Sequence, residues 1–204
     1  MRPPRRPHPA ALWAGAAGPV GFVAVCLALA VVRHDVIVSQ GWASWPSSMA
    51  LGGAPGVPMI ATFLWLGGCY ALFALGALRP AAISSLAVGG YLVTAAGDVL
   101  LAFPTDAPDS TTSWHGVLHL AGVMVATIGT LLVATGLLRA TGGRGVWRPM
   151  RPAVAVLVVA TVVGIAAGFE TGWAKVLYVV GITLPAAVVP WCLRRHLGGG
   201  SRLT

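Results

Sequence analysis

Asp98, His115 and His119 carry the side chains best placed for chemistry. They bracket the segment DVLLAFPTDAPDSTTSWHGVLH, residues 98–119. His115 and His119 are four apart, so on a helix they share one face. Two imidazoles at that spacing with a carboxylate beside them would suit zinc, leaving one coordination position open for water. The same residues admit other readings. Asp98 could be a wetted helix-end carboxylate or a hydrogen-bond partner of His119, and the group could serve a coupled proton or ion or hold a lipid headgroup. Asp106 could cap the turn that contains it, or face the site as an acid/base group. His34 and Asp35 could join from the end of the first apolar run, or be solvated there. The segment 115–119 reads His-Gly-Val-Leu-His and lacks the glutamate of the HExxH zinc-protease motif, so that mechanism does not transfer. Histidines on adjacent turns of one helix cannot clamp both faces of a haem. No nucleophile elbow, phosphate loop or dinucleotide fingerprint is present.

The elements that must position these groups are hydrocarbon-rich. Hydrophobic residues make up 57% of the 204, charged residues only 9%, and the mean hydropathy is +0.84. A soluble domain carries about 25% charged residues, so this composition predicts lipid as the solvent. The 27 glycines suit helices packed closely in a bilayer. Cys26, Cys69 and Cys192 lie far apart within apolar runs, without metal spacing, and read as small buried residues.

Six runs follow one another. Residues 1–9 form a basic, proline-rich tail. The run from Ala10 to Val32 has span length and no small-residue cleavage site after it, and is expected to remain as a first helix. Residues 36–57 form an irregular connection in which Trp42 and Trp45 suit the headgroup region. Further spans are predicted over Pro58–Leu78, with Pro58 in the first turn, over Ala81–Phe103, and over Trp114–Leu138 with Ser113 as its cap. Pro152–Phe169 and Trp173–Leu193 complete the set, and 194–204 is a polar tail. The predicted fold is therefore all-α: a six-helix transmembrane bundle over residues 10–193.

Eleven of the 13 Lys and Arg residues fall on the side of the two tails, leaving only Arg33 and Lys175 opposite. All five acids, Asp35, Asp98, Asp106, Asp109 and Glu170, lie on that opposite side or just within it. The positive-inside rule then puts both termini in the cytoplasm of a cell-membrane protein. The net charge of +8 reflects topology and contact with anionic lipid at the cytoplasmic face, not a nucleic-acid partner. Asp109 reads as a solvated turn residue. Glu170 and Lys175 read as interfacial, and Trp13, Trp114, Trp147, Trp173 and Trp191 as aromatic anchors.

The face that carries the histidines continues as Gly122, Ala126 and Gly129. The preceding span carries Gly90, Thr94 and Gly97, with Asp98 beside them. Small residues at this spacing mark a helix–helix contact, so the two spans are expected to be antiparallel neighbours. Asp98 lies about five residues before Phe103, roughly 7 Å deep. His119 lies about one turn below the start of the next helix, so a contact between them is predicted.

Phe103-Pro104-Thr105-Asp106 after a glycine-bearing third span, then His115-Gly116 and His119 opening the fourth, resembles the bacterial membrane family called domain of unknown function 998. Gly172-Trp173-Ala174 before the last span is also similar to its members. The first loop, Val36 to Trp42, departs from the Ile-Ser-Glu-like segment often found there. The resemblance implies six spans and the location of the polar group, and no reaction. Two functions are then expected as alternatives. One is a membrane protein that binds or moves a lipid or small amphiphile through an outward polar pocket. The other is a metal-dependent hydrolase or transferase using Asp98, His115 and His119 as zinc ligands and Asp106 as acid/base. A role as accessory subunit to a membrane-protein partner is a third.

Overall fold

The computed structural model describes residues 6–51, 53–107, 110–141, 150–167 and 171–199. Among these the only regular structure is helical, with one isolated bridge between Leu51 and Thr105 and no strand. Helix α1 spans Pro9–Val32; Pro9 opens it, and the His8 side chain accepts from Ala10 N at 3.3 Å. A break at Arg33 separates it from α2, His34–Gln40. Helix α3, Val57–Phe73, carries Pro58 in its first turn, where a missing N–H costs nothing. It continues as a π-turn over Ala74–Leu78. Helix α4 is Ser85–Leu101, with Ser84 Oγ accepting from Ala87 N at 3.2 Å. Helices α5 (Trp114–Thr141), α6 (Met150–Ala166), α7 (Gly172–Thr183) and α8 (Val188–Gly199) follow.

Among the described residues, four segments are long and apolar enough to cross a membrane: Pro9–Val32, Ala54–Leu78, Trp114–Ala140 and Gly172–Arg195. Ser85–Leu101 and Met150–Gly164 are shorter apolar helices. The surface agrees with this composition. Along α5, Val117, Leu120, Met124, Ile128 and Leu131 are all more than half exposed. Spacings of three and four put them on one stripe. In water such a stripe would be a large exposed apolar patch. Trp13, Trp114, Trp173 and Trp191 are also exposed, as aromatic anchors at a membrane interface would be.

The close pairing of α4 with α5 sets the frame of the bundle. A Cβ on Gly97 would collide with Ala126, one on Gly129 with Thr94, and one on Gly136 with Ala87. The two backbones therefore run antiparallel in direct contact. Gly90, Thr94 and Gly97 meet Gly122, Ala126 and Gly129, the two stripes predicted from their spacing. On its other side α4 meets α3, where a Cβ at Gly67 would lie 3.2 Å from Asp98 Cβ.

Three expectations are corrected. The connection after α1 is not irregular throughout, because it holds α2 and three 3₁₀ turns at Trp42–Ser44, Ser47–Ala50 and Ala54–Gly56. Trp45 is not a headgroup anchor; it is fully buried, edge-on to Trp42 at a centroid distance of 5.8 Å. The last apolar run is not one helix. A 3₁₀ turn at Leu184–Ala187 interrupts it, at Pro185, whose ring cannot donate to the helical ladder. The expected roles of Asp109, Glu170, Trp147, Arg144, Arg148 and the two tail ends fall outside the described residues.

Candidate functional site

The hairpin between α4 and α5 is built around Ser113. Its hydroxyl accepts from Gly116 N at 3.1 Å, the N-cap bond predicted for this helix. The same hydroxyl donates to Asp106 Oδ1 at 2.6 Å, while Ser113 N donates to Asp106 Oδ2 at 2.9 Å. Asp106 thus sits over the N-terminal end of α5, where a negative charge is favoured. Gly116 makes room for it, since any Cβ there would strike the Asp106 carboxylate.

Asp106 is consequently a helix-capping residue. The side-chain hydrogen bond from Ser113, then the backbone one, hold its carboxyl below the usual carboxylate range. A depressed folded value means its stabilisation is complete above the unfolded value of about 3.9 and is lost as pH falls through the folded value. Asp106→Asn is expected to lower the unfolding midpoint at neutral pH and to flatten its decline below about pH 4. Ser113→Ala should cost about 1 kcal/mol. Thermal unfolding in detergent between about pH 7 and pH 2 checks both.

The two histidines complete the hairpin. Phe103 and Pro104 follow the end of α4, where backbone carbonyls lose their helical partners. His119 Nδ1 lies 2.8 Å from Phe103 O, and His115 Nδ1 lies 3.1 Å from Pro104 O and 2.7 Å from Ser113 Oγ. Donation from Nδ1–H to a carbonyl fixes the tautomer. The i,i+4 spacing therefore clasps two consecutive carbonyls of the turn. His115 Nδ1 is also 3.7 Å from Asp106 Oδ1.

The predicted Asp98–His119 pair is not joined by a hydrogen bond. His119 Nε2 and Asp98 Oδ2 are both buried, and both lack a hydrogen-bond partner. Asp98 comes one residue after Gly97, which lies on the α4–α5 seam. A helical step of about 100° turns it away from α5. On α3 a Cβ at Gly67 would lie 3.2 Å from Asp98 Cβ, while the His119 ring stands edge-on to Phe63 at 6.0 Å. An Nδ1–H bonded to a carbonyl leaves Nε2 as a lone pair, the arrangement a metal-bound imidazole requires. Nevertheless no three His, Cys, Asp or Glu side chains among the described residues converge on a point that could hold a metal ion. The zinc set of Asp98, His115 and His119 is thus not assembled. His34 and Asp35 are exposed, with Asp35 Oδ1 3.6 Å from Arg33 Nε, and do not join the hairpin.

Asp98 instead lies in the wall of a cavity of about 390 Å³ between α3, α4, α5 and α7, which is open on the side of the exposed α5 residues Thr127 and Leu131. Phe63 and Tyr70 of α3, Thr94 of α4, and Lys175 and Tyr178 of α7 share that wall. Pro46 and Ser47 bring the 41–56 connection to one end of it. Lys175 Nζ donates to Ala43 O of the same connection at 2.7 Å. Thr105 N donates to Ala50 O at 3.3 Å, tying the connection to the α4–α5 turn as well. A smaller hollow of about 40 Å³ shares Tyr70 and Thr94 with the cavity and extends past Tyr91. Sequence reasoning located Asp98 but missed this cavity. Lys175 and Tyr178, three apart at the start of α7, were its only legible signal.

No protein-family model, curated protein or solved structure matches the chain.

Proposed function

We propose that the chain is a six-span cell-membrane protein, with both termini cytoplasmic, that binds or moves a small amphiphile through this cavity. On this reading α4 and α6 are the third and fifth spans, and the Asp106–Ser113 turn faces outward. The asymmetric placement of Arg and Lys supports that orientation. The hairpin residues Phe103 to His119 support membership of the family called domain of unknown function 998. The bilayer and anionic lipids of the cytoplasmic leaflet are its surroundings, and a membrane-protein partner is compatible with it.

One observation carries the functional reading: a mostly apolar cavity between the helices, open along α5, has a buried carboxylate in its wall. An ionisable group within a span is costly and marks a functional site by default. Apolar walls with few polar groups are the usual make-up of a small-molecule pocket, and about 390 Å³ falls within the size range of such pockets. The roles of the histidines and Asp106 in holding the hairpin leave the cavity as the place for a ligand.

Native mass spectrometry of the purified protein tests this. Wild type is expected to carry, or to take up on exposure to decyl-chain compounds, one amphiphile per chain. Thr130→Leu, which fills part of the cavity wall, should abolish that uptake while retaining the fold. A wild-type protein that neither carries nor takes up any such molecule would overturn the reading.

A further inference from the structure

The cavity's polar groups differ in what they still need. Thr94 Oγ1 donates to Gly90 O at 3.0 Å, Thr130 Oγ1 to Ala126 O at 2.9 Å, and Thr127 Oγ1 to Val123 O at 2.7 Å. Lys175 Nζ is bonded to Ala43 O and stands 5.9 Å from the centre of the Tyr178 ring. Asp98 is 96% buried, and its Oδ2 receives no donor. A buried carboxylate left without a donor is far costlier than one that is paired. Without a partner such a carboxyl takes up a proton, so what would keep Asp98 ionised in this cavity is a hydrogen-bond donor, above all a positively charged one.

The surroundings suit a cation. Tyr70 lies within electrostatic reach of Asp98, and Phe63 is a further aromatic residue of the wall. Aromatic faces attract ammonium groups, more strongly where water is excluded. Lys175 is the competing charge in the same wall. Its ammonium already donates to the connection at the cavity's end, so it holds that connection and leaves Asp98 for the ligand. At about 30 Å³ for each water-sized group, a volume of about 390 Å³ accommodates roughly a dozen non-hydrogen atoms.

We propose that the ligand class is a protonated alkyl amine of about that size, its N–H donating to Asp98 Oδ2 and its chain lying along the apolar wall toward Leu157 and Ile182. This rests on the amphiphile-binding reading above and specifies the headgroup.

Decylamine, decanol and decanoate separate the possibilities, because they share a chain and differ in the headgroup. Each is titrated calorimetrically into protein held in zwitterionic lipid nanodiscs, with empty nanodiscs subtracted. Hydrogen bonds to charged groups predict that wild type binds decylamine about tenfold or more tighter than decanol, with decanoate weakest. In Asp98→Asn the amine and the alcohol should come within about twofold of each other. The wild-type ratio stands without the variant, and so remains informative should the Asp98→Asn protein fail to fold. Equal binding of all three probes, or a preference for decanoate, would overturn the amine assignment and leave the amphiphile reading intact. A preference for the amine that survives in Asp98→Asn would overturn the role of Asp98. No binding of any probe would overturn both this inference and the reading on which it rests.

Discussion

Gly97→Leu is expected to cost about 3 kcal/mol or more, the upper range for overpacking a tight interface. A Cβ alone at this position would lie 2.7 Å from Ala126 Cα and 2.8 Å from Ala126 Cβ. These are backbone and first side-chain atoms, so no rotamer change relieves the collision. Helices α4 and α5 would have to separate. That would lose the contacts at Gly90, Gly122 and Gly129, because all belong to one seam. In lipid no hydrophobic driving force compensates, since helix association there depends on packing and interhelical hydrogen bonds. The displaced α5 would also take His115 and His119 away from the Pro104 and Phe103 carbonyls. Gly89→Leu is the internal control, as a Cβ on Gly89 meets nothing within 4 Å. Unfolding by denaturing detergent should show Gly89→Leu close to wild type and Gly97→Leu strongly destabilised.

Trp45→Ala is expected to cost about 3–5 kcal/mol, the usual range for deleting a large buried aromatic. Trp45 is wholly buried, although it stands in a connection between helices. Its position explains the size of the effect. Trp42 packs edge-on to Trp45, and Trp42 in turn fills the space beside Gly172 at the start of α7. Pro46 and Ser47, next in the chain, reach the cavity. Removing the indole should therefore loosen both the 41–56 connection and the end of the cavity it covers. Two readouts are expected together: a lower unfolding midpoint, and faster exchange of any bound decyl-chain probe. Trp13→Ala, a change at an exposed residue, should produce neither.

The contrast between Trp45 and Trp13 indicates what the sequence can and cannot convey. Trp13 lies near the start of an apolar run and Trp45 in a connection between two, and for both a headgroup position is the ordinary expectation. Nothing local distinguishes the one that is buried by a folded connection. The α4–α5 seam was legible because its signal is local: small residues recur at helical spacing on two consecutive runs joined by a short turn. The Ser113 cap was legible for the same reason. The fate of Asp98 was not. Its depth followed from counting residues, but its direction depends on a rotation of about 100° past Gly97 and on where α3 packs. The His115–His119 pair was equally ambiguous, because i,i+4 spacing serves a metal and a clasp of two turn carbonyls alike. Only the positions of Phe103 O and Pro104 O separate these uses. The cavity draws on residues from distant parts of the chain, including Tyr70, Asp98 and Lys175, and no pattern along the sequence unites them.

The central claim is that Asp98 to His119 forms a membrane hairpin that opens outward, with the Arg79 and Arg139 end in the cytoplasm. Cysteine labelling tests it directly. Cys26, Cys69 and Cys192 are buried free thiols and provide a quiet background. Ser110 and Arg139 are both exposed, at opposite ends of the α4–α5 hairpin, Ser110 in its turn and Arg139 in the last turn of α5. In intact cells a membrane-impermeant maleimide should label Ser110→Cys and leave Arg139→Cys untouched until the membrane is broken. Labelling of Arg139→Cys from outside, or of both positions from the same side, would contradict the account.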